Sequence, residues 1–305
     1  MSYNLCCISK SLASEGHKFQ TMTWARFSKL PREEAVKTVS ERTLNNIRVT
    51  HKILEQCASK GWGYRVSSAL FPLLTYDVAE LDLEEYPHYN FIMEALNDCA
   101  KVIRENRIRI SCHPDQFNVL ASLGKAQVEK TIKELNHHGW LMDMLGAHRD
   151  YRAPINIHVN NTKGEPEEIA ARFMSNLAKC DKSVQTRLVV ENEDKGIWTP
   201  SLLAKHFPLP ITYDNLHHKC LPDGLPEQQA FTLCYKTWHR VGYFKPLFHY
   251  SESHPDKPNP RSHADMPTEL PRDGGYSATM ASHIQWITRS NLNQKTRQYR
   301  PLKLA

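Results

Sequence analysis

The feature that most limits what this chain can fold into is its alternation of short apolar runs with longer stretches of helical periodicity. Residues 5–9 read as a first strand. Residues 33–60, entered at Pro31, read as a helix with Leu44, Ile47, Leu54 and Cys57 on one face. Further strands are expected at residues 64–67, 108–112, 155–159, 188–190, 211–213 and 247–250. Helical spacing fills residues 88–106, 128–145, 165–180, 201–206 and 227–241 between them. Such βα alternation builds a parallel sheet with its helices outside. About seven units without a linker point to an α/β fold of the TIM (β/α) barrel type, and not to an open sheet. A length of 305 residues suits one such barrel. Residues 1–286 are therefore read as a single domain.

Composition narrows the setting. Hydrophobic residues make up 40% of the chain, which is enough for a core and argues against global disorder. Lys and Arg number 39 against 33 Asp and Glu, and the net charge of +6 permits an anionic partner such as nucleic acid. Arg289, Lys295, Arg297, Arg300 and Lys303 fall in a final stretch that holds no acid, so the body of the chain is close to neutral. The charge therefore carries little of the case for DNA. The eight cysteines form no C-x-x-C pair, which argues against a disulfide framework or a zinc ribbon and for a reducing, cytoplasmic setting. Cys6 and Cys7 lie in an apolar run and are expected in the core. No signal peptide is evident, and no apolar run approaches the ~18 residues of a membrane span. No obligate protein partner is expected.

The chemistry sits where the strands end. The third strand runs into His113-Pro114-Asp115-Gln116-Phe117, the fourth into His158, the fifth into Glu191-Asn192-Glu193-Asp194 and the sixth into Asp214-Asn215-Leu216-His217-His218. The seventh carries His249, and a loop over residues 253–271 brings Arg261-Ser262-His263-Ala264-Asp265. In a barrel all these ends open on one face, so side chains far apart in sequence converge. One His at a strand end is commonly a satisfied polar residue. A whole row of ends bearing His or carboxylate would be costly to bury, and a bound cation offsets that cost. Nitrogen and oxygen donors without thiolate suit Mn²⁺, Zn²⁺ or Fe²⁺ better than a structural zinc. The donors exceed the needs of one ion. Two or three ions bridged by a carboxylate are the arrangement used in phosphodiester hydrolysis. His51, His148 and His239 fall on helices and read as decoys, as do His137 and His138 on a solvated helix face. His218 is outranked by the better-placed His217.

At these residues the chain resembles the UV damage endonucleases, metal-dependent DNA repair enzymes with a TIM-barrel fold. The likeness runs from about residue 5 to residue 286. It is carried by Ala25-Arg26-Phe27-Ser28-Lys29-Leu30, Tyr64-Arg65-Val66-Ser67-Ser68-Ala69-Leu70-Phe71-Pro72-Leu73, Asn156-Ile157-His158 and Glu191-Asn192-Glu193-Asp194-Lys195, with the His113, Asp214 and Arg261 segments above. The resemblance implies an enzyme that nicks damaged duplex DNA just 5′ of pyrimidine dimers, 6-4 photoproducts and abasic sites. It leaves a 3′-hydroxyl and a 5′-phosphate. Two or three divalent ions, Mn²⁺ first and Zn²⁺ or Mg²⁺ as alternatives, would be the cofactors. By resemblance Glu191 bridges, His113 and His158 share one ion with it, Asp214 and His249 hold a second, and His217 and His263 belong to a third. Glu191, His113, His158, Asp214 and His249 form the implied catalytic set. Gln116 and Phe117 would enter the duplex at the lesion, where an aromatic wedge replaces lost stacking. Arg26, Lys29, Arg65, Lys195 and Arg261 are candidate phosphate contacts. Rival readings are an abasic-site endonuclease of the same barrel type, a lesion-binding protein without activity, and a sugar isomerase of similar fold. His217 and His263 argue against the last.

Three positions depart from the family pattern. Tyr76 stands where a His is usual, and Leu247 where a Lys is frequent. The family's last strand carries a Glu ligand, whereas this chain reads Gln285-Trp286-Ile287-Thr288-Arg289-Ser290 and continues as a polar tail. Read one base later from Ile287, with free third bases, the tail can yield a family-like ending with the Glu restored. Residues 287–305 are thus taken as an atypical basic tail with a frameshift as its candidate origin. The expected consequences are a degraded last strand, an open barrel edge, weaker metal binding and low repair activity. The nucleotide sequence tests the origin, because codons for residues 288–290 that cannot encode Glu-Val in the next frame would refute it. Equal nicking of irradiated DNA by this chain and a restored-frame form would refute the impairment.

Overall fold

Runs such as Leu188-Val189-Val190 are apolar without alternation, the pattern of strands covered on both faces of a parallel sheet. A computed structural model, describing residues 2–242, 244–264, 268 and 285–288, arranges the strands in that way. They are β1 Ser2–Cys6, β2 Gly63–Val66, β3 Ile110–Cys112, β4 Ile155–Ile157, β5 Leu188–Glu191, β6 Ile211–Thr212, β7 Leu247–Tyr250 and β8 Gln285–Thr288. All described residues of β3, β4 and β5 are buried. The sheet order is β6-β5-β4-β3-β2-β1-β8-β7, with every paired ladder parallel. Its ends meet between β6 and β7, where Asp214 and His249 form a parallel bridge and His249 N donates to Tyr213 O at 2.9 Å. The fold is the expected α/β barrel.

Helices cover the outside. Arg32–Lys60 buries Leu44, Ile47, Leu54 and Cys57 as the spacing predicts, and packs beside Tyr89–Glu105. Lys125–Met144, Pro166–Leu177, Pro200–His206 and Glu227–His239 follow the later strands. Among the described residues no helix is long and apolar enough to cross a membrane.

Several boundaries differ from expectation for local reasons. β1 stops at Cys6 because Cys7 has a left-handed φ of 55°, and Ser9 then caps the helix Lys10–Ser14 by accepting from Leu12 N. β3 starts at Ile110 because Ile108 N still bonds to Ile103 O of the preceding helix. The last strand is also not lost. β8 pairs in register with both β1 and β7, from Ser2↔Gln285 and Leu247↔Gln285 onward. The expected open edge is therefore absent at β8. A ladder needs only backbone donors and acceptors, and Trp286-Ile287-Thr288 are strand-favouring residues. The limit placed at residue 286 falls inside β8. Asp265 and the tail from residue 289 lie outside the described residues.

One charged residue braces the barrel floor. Arg187, fully buried just before β5, donates to the carbonyls of His148, Ser183 and Ala147 and pairs with Asp143 at 2.8 Å. Replacing it leaves several buried carbonyls without their donor, while Asp143 keeps Arg149 as a partner. Arg187→Met is expected to cost about 3 kcal/mol in denaturant unfolding, since each buried carbonyl left unsatisfied costs about 1–3 kcal/mol. A change below about 1 kcal/mol would show that the brace contributes little.

Candidate metal centre

The strand ends converge on Glu191, the last residue of β5 and only 1% exposed. Its Oε1 lies 2.9 Å from His249 Nδ1 and 3.3 Å from His217 Nδ1. Its Oε2 lies 3.2 Å from His113 Nε2 and 4.0 Å from His158 Nε2. Asn156 Nδ2 donates to the same Oε2 in a short bond. Asn156 and His158 are two residues apart on β4 and its extension, so both turn to the same side.

Each ligand candidate is positioned by local chemistry. Asp214 caps the short helix Asn215–Cys220, where its Oδ1 accepts from His217 N at 2.9 Å. The cap places His217 on the first turn, facing the centre. Asn192 then locks Asp214, accepting from its N at 2.8 Å and donating to its O at 3.0 Å. His217 Nδ1 also lies 2.8 Å from Asn192 O, and His113 Nδ1 lies 2.8 Å from Pro114 O. A ring held through one nitrogen presents the other in a fixed direction. His263, on the loop after β7, sets its ring edge-on to His217 at 5.6 Å.

The electrostatics match a cation site. Burial would raise the Glu191 carboxyl, but His249, His158 and the bonds from His113 and His249 hold it well below the usual carboxylate range. Burial pushes His158 down to about 3 and lowers His249 as well, against the pull of Glu191, which favours the unprotonated, ligating form of each ring. Burial also opposes a charge on His217, yet Asp214 and Glu191 carry it above its ordinary value. Donor atoms of His113, His158 and Glu191, and separately of Glu191, Asp214 and His249, lie within 4.8 Å of one another. The donors thus form two groups that share Glu191.

All seven candidate ligands line one cavity of about 450 Å³, with Gln116, Arg65, Lys195 and Arg261. Arg65 is half-buried at its wall, with Nη1 3.4 Å from His249 Nε2. Arg261 Nε lies 3.9 Å from Asp194 Oδ2. Phe117 stands 71% exposed beside the cavity. Arg26 and Lys29 are exposed but do not line it. Tyr76 is 40% exposed, with its ring 5.7 Å from Trp24, and Leu247 is buried.

Some readings need correction. His137 and His138 do not share a solvated face. His138 is buried, with Nδ1 2.9 Å from Glu134 O, and His137 stacks on Trp140 and is pushed to about 3 by burial. Cys7 is not a core residue, because it is half-buried on the cavity wall. Sequence reasoning also passed over Asn156, Asn192 and Glu193. Glu193 Oε1 accepts from Asn160 N at 2.7 Å, and burial raises its carboxyl to about 7. Nothing in its sequence neighbourhood separates it from Asp194, which follows it.

A family described as UV-endonuclease UvdE matches residues 1–284. UV DNA damage endonucleases of Bacillus mycoides (strain KBAB4) and Bacillus cereus (strain Q1) are each 28% identical over 250 residues, spanning 81% of this chain and 76% of theirs. The crystal structure of SacUVDE is similar with a TM-score of 0.74 and 27% identity, covering 94% of this chain and 92% of that one. Endonuclease IV from Thermus thermophilus shares the fold at a TM-score of 0.51 and 15% identity, over 78% of this chain and 86% of its own.

Glu193 makes stability depend on pH. Its acid form is favoured in the fold and its carboxylate in the unfolded chain, so folding takes up a proton between about pH 4.5 and 7. Stability of the metal-free protein should fall as pH rises through that window, and the stability held at low pH should be gone above about 7. Urea titrations at pH 5 and pH 7.5 should show this loss in the wild type and a smaller one in Glu193→Gln. An identical loss in both would remove the assignment.

Proposed function

The chain belongs to the UV-endonuclease UvdE family, and from that premise we propose that it is a DNA repair endonuclease that nicks duplex DNA just 5′ of UV photoproducts and related lesions. The observation that carries the chemistry is Glu191, a buried carboxylate with four His rings at its two oxygens. The donors fit divalent ions. Two groups of nitrogen and oxygen donors share one carboxylate, burial lowers two of the rings toward the ligating form, and His158 Nδ1 is buried with no hydrogen-bond partner among the described residues. His113, His158 and Glu191 would hold one ion, Asp214 and His249 with Glu191 a second, and His217 and His263 would extend the set. The nitrogen and oxygen donors accommodate Mn²⁺, Zn²⁺ or Mg²⁺, and the family resemblance puts Mn²⁺ first. When bound, such ions supply charge for a scissile phosphate and a nucleophile at neutral pH.

The remaining work falls to the protein. Arg65 sets a guanidinium at the cavity wall, and Lys195 and Arg261 add cations for phosphates of the same strand. Gln116 and Phe117 form the lesion probe. Their backbone is tied down, since Phe117 N donates to Asp115 Oδ1 at 2.6 Å, Gln127 Nε2 donates to Phe117 O at 2.9 Å and Asn160 Nδ2 donates to Gln116 O at 3.0 Å. A rigid loop presenting a bare aromatic ring pays its ordering cost before DNA arrives. The ring then fills a gap in a stack the lesion has already weakened, so distortion is recognised in preference to sequence. Arg26 and Lys29, off the cavity but on the segment after β1, would meet the flanking backbone.

The test is a nicking assay on irradiated duplex with Mn²⁺ and with chelator. A cut just 5′ of the lesion is expected with metal only. Glu191→Gln and His113→Ala should each abolish it, and Phe117→Ala should weaken lesion binding about tenfold, the value of one stacked base. Nicking retained by both ligand variants would remove the ligand assignment. Cutting only at abasic sites would favour an abasic-site endonuclease, and binding without a nick at any metal concentration a lesion-binding protein.

A further inference from the structure

The cavity wall carries two thiols that phosphodiester hydrolysis does not use. Cys6 and Cys7 both line it, with Cys6 Sγ donating to Cys7 Sγ at 3.9 Å. Arg65 Nε donates to Cys7 Sγ at 3.3 Å. The Cys7 backbone is held at a φ of 55° by two bonds, Cys7 N to Arg65 O at 2.9 Å and Tyr64 Oη to Cys7 O at 2.8 Å. A non-glycine residue in that left-handed region is strained unless its surroundings impose it, and here they turn the thiol toward the guanidinium and the cavity.

We propose that Cys7, with Cys6 as its partner, is a peroxide-reactive thiol site on the wall of this cavity. A thiolate beside a cation and open to a cavity is the reactive form of cysteine. The bond from the Cys6 thiol and, against burial, the Arg65 charge hold the Cys7 thiol well below its usual range. The other cysteines are opposite in kind. Burial pushes Cys57, Cys99 and Cys180 up to about 12, and it raises Cys112, Cys234 and half-buried Cys220 as well.

The chemistry balances with hydrogen peroxide as the oxidant. The Cys7 thiolate attacks one peroxide oxygen, the S–O bond forms as the O–O bond breaks, and hydroxide leaves to take a solvent proton. Sulfur is oxidised by two electrons to the sulfenic acid. The Cys6 thiol then displaces that hydroxyl as water and forms a disulfide between adjacent residues. Their Cα atoms are held about 3.8 Å apart by the trans peptide, shorter than the usual disulfide span, so this product is readily reduced. Either product alters the sulfur that accepts from Arg65 Nε, and Arg65 Nη1 lies 3.4 Å from His249 Nε2. Oxidation is thereby coupled to the wall of the metal centre.

The experiment uses the full chain with Mn²⁺ bound, limiting hydrogen peroxide and a dimedone quench, read by mass spectrometry of tryptic peptides. Cys220 serves as the internal control. Cys7 should label at least about tenfold faster than Cys220, and the wild-type peptide ending at Lys10 should then lose two hydrogens as the disulfide forms. Cys6→Ser should trap the dimedone adduct, and Cys7→Ser should abolish it. Arg65→Gln should slow labelling at Cys7 about tenfold without changing Cys220. Equal labelling of Cys7 and Cys220, or an Arg65→Gln variant as reactive at Cys7 as the wild type, would overturn the proposal. The readout is independent of nicking, so it stands or fails apart from the proposed endonuclease activity.

Discussion

A single buried carboxylate organises this molecule. Glu191 sits at the centre of a barrel where an unpaired charge would cost several kcal/mol even after relaxation. The fold answers by pointing His113, His158, His217 and His249 at its two oxygens and Asn156 at one of them. Four rings around one anion are too crowded to be a stability device alone. Replacing such a cluster with well-packed apolar residues is often neutral or stabilising in proteins. Its presence at the open end of the barrel is intelligible as a cation site with a shared ligand.

The same residues close the sheet. β6 and β7 meet through the bridge between Asp214 and His249, and the backbone bond from His249 N to Tyr213 O lies at that seam. Ring closure and assembly of the second donor group are therefore one event. β8 contributes to it indirectly, because it holds β7 against β1 along a full register. Its backbone does this although Gln285–Thr288 contains no carboxylate. The ladder on either side of β8 thus needs no acidic side chain from that strand.

Around the centre the wall is varied in chemistry. Arg65 touches a candidate ligand on one side and a thiol on the other. Phe117 is held out from the rim by a loop whose backbone bonds are satisfied within the protein. The exposed Phe117 ring and the charged wall lie on either side of the candidate metal centre, and the proposed recognition of distorted DNA rests on that arrangement.

The sequence by itself determined the barrel, since βα alternation and strands apolar on both faces have few other solutions. It also determined which strand ends carry donors, because position at a strand's C-terminal end is a local property. Only the tertiary structure decided how the donors share the space. That Glu191 is common to two groups, that Asn192 locks Asp214, and that His138 is buried while Cys7 is not all depend on side-chain directions set by closure of the sheet. The left-handed turn at Cys7 that ends β1 and the ladder that rescues β8 were equally hidden. Periodicity describes which residues seek burial, and distances between elements remote in the chain arise only when the backbone ladders pair.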